Sequence, residues 1–65
     1  MKTITLNGEP RTTAAEDIAA LAAELGFARG TALFEHNGEA LRPSDWTRKI
    51  ADKDRVEVLR IAAGG

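Results

Sequence analysis

Arg55-Val56-Glu57-Val58-Leu59-Arg60-Ile61-Ala62-Ala63-Gly64-Gly65 reads as a strand that sheds its large side chains and closes on two glycines. Alternation puts Val56 and Val58 on one face and Leu59 and Ile61 on the other. If the valines point into a core, Leu59 and Ile61 point away from it. From Ala62 onward no side chain exceeds a methyl group. Residues 62–65 are therefore expected to form a thin, flexible tail with the Gly65 carboxylate at its tip.

Working back from that strand, Asp52-Lys53-Asp54 is a polar turn. It lacks the ligand count and the glycine of a helix–loop–helix calcium site. Ala32-Leu33-Phe34-Glu35 reads as another strand. With Phe34 in the core, Leu33 turns outward and joins Leu59 and Ile61 in an exposed apolar patch, a candidate partner-docking surface. Arg60, beside the tail, is a candidate docking cation. Between the strands, Asn37-Gly38 signals a tight turn, and Arg42-Pro43-Ser44-Asp45-Trp46 a turn leading into a short helix. Ser44 is the candidate cap, with Trp46 and Ile50 stacked at i, i+4. Trp46 reads as a core cap of a small domain. His36 stands alone, without a second ligand or a nucleophile to give it metal or base chemistry.

The chain opens with Lys2-Thr3-Ile4-Thr5-Leu6, whose alternation places Ile4 and Leu6 on one face. Asn7-Gly8 is a hairpin signal, and Pro10 confines the returning strand Pro10–Thr13 to a sheet edge. A helix follows. Its start is marked twice, by Thr13-Ala14-Ala15-Glu16 as a capping box and by Asp17 as a cap in its own right. Ile18, Leu21, Ala22 and Leu25 form one apolar face, and Gly26 ends the helix.

Sixty-five residues make one domain, residues 1–65, near the lower limit of independent folding. Such a chain has no room for an enclosed pocket of about 300 Å³ beside a core, which argues against a self-contained enzyme. Nine basic and ten acidic residues are interleaved, with no stripe that would suit nucleic acid or an anionic membrane. No apolar run follows Met1-Lys2-Thr3 and none approaches a membrane span, so a cytoplasmic monomer is expected. With no cysteine there is no disulfide, thiol catalysis or cysteine metal site.

The order strand, hairpin, strand, helix, strand, short helix, strand predicts an α+β fold. One main helix and one short helix accompany a mixed sheet of four to five strands. With the closing Gly64-Gly65, this order resembles the ubiquitin-like β-grasp family. The segment Asn37-Gly38-Glu39-Ala40-Leu41-Arg42-Pro43-Ser44-Asp45-Trp46, the acidic turn before Val56-Glu57-Val58, and the length narrow the resemblance to ThiS-type sulfur carriers. It spans essentially the whole chain and is closer from Asn37 onward. Three positions depart from the pattern: Arg42-Pro43 stands where the family usually has Pro-Arg, Lys53 where a glycine is usual, and His36 where an apolar residue is common.

The resemblance implies a carrier in thiamine thiazole biosynthesis that binds no cofactor of its own. A ThiF-type adenylyltransferase would consume ATP to adenylate Gly65, a cysteine desulfurase system would supply sulfur, and a ThiG-type thiazole synthase would take it from the thiocarboxylate. Gly64, Ala63 and Ala62 would thread partner sites, while Leu59, Ile61, Leu33 and Arg60 would dock. The residues permit this. An α-carboxylate ionises near pH 3.5, to about a unit, so it is an oxygen nucleophile at neutral pH. A backbone without Cβ atoms passes where others cannot. Two alternatives use the same tail or none of it: a sibling carrier for molybdopterin synthesis or tRNA thiolation, and a ubiquitin-like modifier or interaction module.

Overall fold

Each asparagine–glycine pair turns a hairpin through two successive positive φ angles, 50° and 82° at Asn7-Gly8 and 51° and 87° at Asn37-Gly38. This twist matches that of paired strands, and asparagine and glycine adopt it at least cost. In the computed structural model, which describes residues 1–61, the first turn joins β1 (Lys2–Leu6) to β2 (Glu9–Thr13) and the second joins β3 (Ala32–His36) to β4 (Glu39–Leu41). The sheet order is β2-β1-β5-β3-β4, with β5 (Arg55–Arg60) in the centre. β5 runs parallel to β1 and antiparallel to β3. Pro10 lies on the edge strand β2, where its missing N–H breaks no ladder.

The helix α1 (Ile18–Leu25) is capped by Asp17, whose carboxylate accepts the Ala20 N–H at 2.8 Å. Thr13 does not cap it. It closes β2, its hydroxyl accepting the Ala15 N–H and donating to Glu24 Oε1 at 2.7 Å. At the other end Gly26 takes φ 85°, Gly26 N–H donates to Ala23 and Phe27 N–H to Ala22. This Schellman closure needs the left-handed residue that only glycine supplies without strain.

The helix buries Ile18, Leu21 and Ala22 against Ile4, Phe34, Leu41 and Val56 of the sheet. Phe34 is the centre of an aromatic group, edge-on to Trp46 at 5.1 Å and to Phe27 at 6.5 Å between centroids. One helix across one face of a mixed five-stranded sheet is the α+β, β-grasp arrangement that the sequence predicts.

The expected short helix is shorter and lies earlier. Pro43–Asp45 forms one 3-10 turn that ends before Trp46, and Ser44 sits inside it rather than capping it. The capping contact is made by Asp45, whose carboxylate accepts the Arg42 N–H at 3.1 Å. Trp46 and Ile50 therefore do not share a helix face. Both are buried, entering the core from the loop that follows. The turn closes at Trp46, whose N–H donates to the Pro43 carbonyl at 3.3 Å, a bond of the tighter 3-10 type. Among the described residues no helix is long and apolar enough to cross a membrane.

Candidate functional site

β5 carries the candidate site because it is both the central strand and the strand that leads into residues 62–65. Its partners hold it in register along its whole length. Val56 and Val58 turn toward the helix, and Glu57 and Leu59 toward the bare face of the sheet. Across the ladder to β3, Leu59 is paired with Leu33 and Glu57 with Glu35. The ladder extends one step past β5, where Ile61 N–H donates to the Thr31 carbonyl at 2.9 Å.

Leu33, Leu59 and Ile61 are the large apolar residues that remain well exposed after β1, at 52%, 66% and 41%. The expected patch exists, and it is formed as the strand parity predicts. It borders an open groove of about 340 Å³ whose lining includes Asn7, Leu33, Glu35, Ala40, Glu57 and Leu59. It is a surface depression and not an enclosed chamber.

Arg60 is not part of this patch. It sits opposite Ala32 on the helix side of the sheet, and its guanidinium lies over the Phe27 ring at 4.9 Å. A cation held on an aromatic face is attracted by the ring quadrupole, so this arginine has an intramolecular role. The tail, Ala62, Ala63, Gly64 and Gly65, lies outside the described residues.

Three contributors were invisible in the motifs. Asn7, read as a turn residue, also supplies a wall of the groove. Glu35 and Glu57 are directly opposed in the β3–β5 register, and neither makes an ion pair among the described residues. The parity of β3 and β5 signals that both face outward, but only register shows that they face each other.

His36 is buried at the opposite end of β3, on the core side. Its Nε2 lies 2.6 Å from Asp54 Oδ2, and its Nδ1 has no partner among the described residues. Burial pushes the Asp54 carboxyl up, but the Ala51 N–H, His36 and Asn37 together hold it below the ordinary aspartate value. Asp54 thus ties the turn before β5 to the β3–β4 hairpin, which is a structural task. Among the described residues no three His, Cys, Asp or Glu side chains converge to hold a metal ion. The Asp52-Lys53-Asp54 turn is spent on backbone bonds: Asp52 Oδ1 accepts the Thr3 N–H, and Lys53, at φ 71°, donates its N–H to the Thr3 carbonyl. That left-handed angle is the reason a glycine suits position 53.

Comparison with known proteins agrees with this architecture. The ThiS family matches residues 4–65 of the chain. A crystal structure of the thiamine biosynthesis protein ThiS from Geobacter metallireducens is similar to it, with 34% sequence identity over 97% of this chain and 99% of that one and a TM-score of 0.74. No curated protein gives a significant match.

Proposed function

The chain belongs to the ThiS family, and we propose that it works as a sulfur carrier in thiamine thiazole biosynthesis. The observation that carries the reading is the match through residue 65, which includes the Gly64-Gly65 end that such chemistry requires. Gly65 is the reacting residue. Inside a ThiF-type adenylyltransferase its carboxylate oxygen attacks the α-phosphate of ATP, pyrophosphate leaves, and a mixed anhydride with AMP results. A persulfide charged by a cysteine desulfurase system then displaces AMP to give an acyl persulfide, and a thiol reductant cleaves its S–S bond, leaving Gly65 as a thiocarboxylate and the thiol as a disulfide. A ThiG-type thiazole synthase accepts the sulfur. The carrier supplies no catalytic group. Its part is to present a carboxylate that fits a narrow partner site, with Gly64, Ala63 and Ala62 as the thread. In this reading the protein is cytoplasmic and monomeric when free.

The fold supports this division of labour. The tail continues from the central strand, so pull on it is resisted by ladders on both sides of β5. Leu33, Leu59 and Ile61 lie beside the tail's root. Covering one such half-exposed side chain on a partner stabilises a complex by roughly 1–2 kcal/mol before ordering costs.

The test is intact mass after incubation with ATP, cysteine, a cysteine desulfurase, a ThiF-type enzyme and a thiol reductant. The full-length chain should gain the increment of one oxygen exchanged for sulfur and become alkylatable, although it has no cysteine. A Gly65-deleted chain controls for oxidation of Met1 and should gain nothing alkylatable. An unmodified full-length chain with demonstrably active enzymes would remove the thiazole assignment.

A further inference from the structure

The bare face of the sheet carries two rows that run across the strands. In one, Leu33 pairs with Leu59. In the next, Glu57 pairs with Glu35, with Asn7 and Ala40 at either end lining the same groove. Directly opposed like charges on a sheet are destabilising, their Cβ atoms being only about 4.5–5.5 Å apart. Each of the three ion pairs among the described residues involves other side chains: Arg11–Glu24, His36–Asp54 and Arg48–Glu39. Arg55 stands two residues from Glu57 on the same face of β5 but reaches over the hairpin turn, its Nη2 passing beside Gly38. The pair lining the groove thus has no ion-pair partner among the described residues and stands beside exposed leucines.

We propose that this groove docks a partner segment carrying an arginine flanked by an apolar residue, the guanidinium spanning Glu35 and Glu57 and the apolar residue covering Leu33 and Leu59. The inference rests on the carrier reading only in naming the adenylyltransferase as the first protein to test. Two points select the occupant. The doubled negative charge calls for a cation, and the planar fork of arginine can donate to two carboxylates at once, where an ammonium is a single point. A second copy of the chain is disfavoured on the same ground, since it would bring an identical acidic row to the face. The pair is kept at a cost to the free domain because the complex relieves it, which makes the contact selective against partners lacking the cation.

The experiment has two arms. In the first, the ¹⁵N-labelled chain is titrated with the peptide acetyl-Leu-Arg-Leu-amide and with its citrulline counterpart. The arginine peptide should shift the amides of Leu33, Glu35, Glu57 and Leu59, and the citrulline peptide should shift them at least about tenfold more weakly. Equal shifts from both peptides, or shifts elsewhere, overturn the proposal. In the second arm, a Glu35→Gln/Glu57→Gln chain is compared with wild type for binding to the ThiF-type enzyme and for adenylate formation. The expected result is a rise in Kd of about tenfold or more, a weaker salt dependence, unchanged turnover at saturation and a higher Tm from relieved repulsion. Wild-type affinity in the double variant overturns the proposal and leaves the carrier reading intact. Failure of wild type itself to be adenylated removes the carrier reading, and the peptide arm then decides the groove alone. Concentration-dependent dimerisation through Leu59, seen by sedimentation and abolished by Leu59→Glu, would also overturn it.

Discussion

The side-chain amide of Asn7 brackets the backbone of Val58, Oδ1 accepting its N–H at 2.8 Å and Nδ2 donating to its carbonyl at 3.2 Å. A turn residue here serves as one further rung of the β1–β5 ladder beyond the end of β1. Asn37 does the same from the other side: its N–H donates to the Arg55 carbonyl at 2.7 Å and its Oδ1 accepts the Arg55 N–H at 2.8 Å. The two hairpin turns clasp the central strand from its two sides, one at Arg55 and one at Val58.

Asn7→Ala should therefore cost more than a hairpin turn alone would suggest. Two hydrogen bonds at about 0.5–1.5 kcal/mol each are lost, and alanine must hold a left-handed φ at about 1 kcal/mol. Asn7→Gly loses the bonds without the strain. Urea denaturation should rank wild type above glycine and glycine above alanine; equal stability of wild type and Asn7→Gly would show that the clasp contributes nothing.

Lys53 occupies a left-handed position at φ 71°. Releasing that strain, about 1–2 kcal/mol, outweighs the roughly 0.5–1 kcal/mol of extra chain entropy that glycine loses on folding. Lys53→Gly should raise stability by about 0.5–1 kcal/mol, visible as a higher denaturation midpoint with an unchanged slope.

Trp46 is 3% exposed and packs edge-on against Phe34. Large-to-small changes at such a site cost about 3–5 kcal/mol, which is comparable to the whole stability of a domain this size. Trp46→Ala should be largely unfolded at room temperature by circular dichroism, and Trp46→Phe should remain folded with a lower Tm. A folded, cooperative Trp46→Ala would refute the core assignment.

The Asp54 carboxyl lies below its ordinary value when folded. A depressed acid stabilises the fold above its unfolded pKa, and the contribution is lost as pH falls through the folded pKa. The stability gap between wild type and Asp54→Asn should thus be full near neutrality and shrink as pH drops below about 4. Glu24, also held low by Thr13 and Arg11, shifts both proteins alike and cancels from the difference. A gap independent of pH would show that the charge on Asp54 plays no part.

Arg60 and Leu59 separate stability from docking. Arg60→Ala should cost about 0.5–1 kcal/mol through loss of the Phe27 contact and leave partner affinity near wild type. Leu59→Glu should do the reverse, changing stability by under about 0.5 kcal/mol because the side chain is exposed, and weakening binding. Affinity lost equally in both would return Arg60 to the docking surface.

Much of the fold was legible because its signals are local. Alternation in Lys2–Leu6, the two Asn-Gly turns, the proline in the edge strand and Gly26 after the helix each act within a few residues. The elements left open or misread are those where two local options compete. Thr13 and Asp17 both look like caps, and whether Thr13 belongs to β2 is settled by its pairing with Lys2. The 3-10 turn at Pro43–Asp45 has the capping contact of a longer helix, yet it closes at Trp46, whose N–H bonds the Pro43 carbonyl.

The sequence by itself determined the element order, the outward parity of Leu33, Leu59 and Ile61, and the ThiS resemblance that its closing glycines helped to carry. These follow from side-chain period and backbone allowance, which depend on near neighbours in the chain. Only the tertiary structure decided that Glu35 opposes Glu57, that Arg60 turns away to Phe27, and that Asp54 answers His36. Those contacts join residues 18 to 33 positions apart. Register and strand order bring them together, through packing of the whole sheet on α1 and not through any local preference.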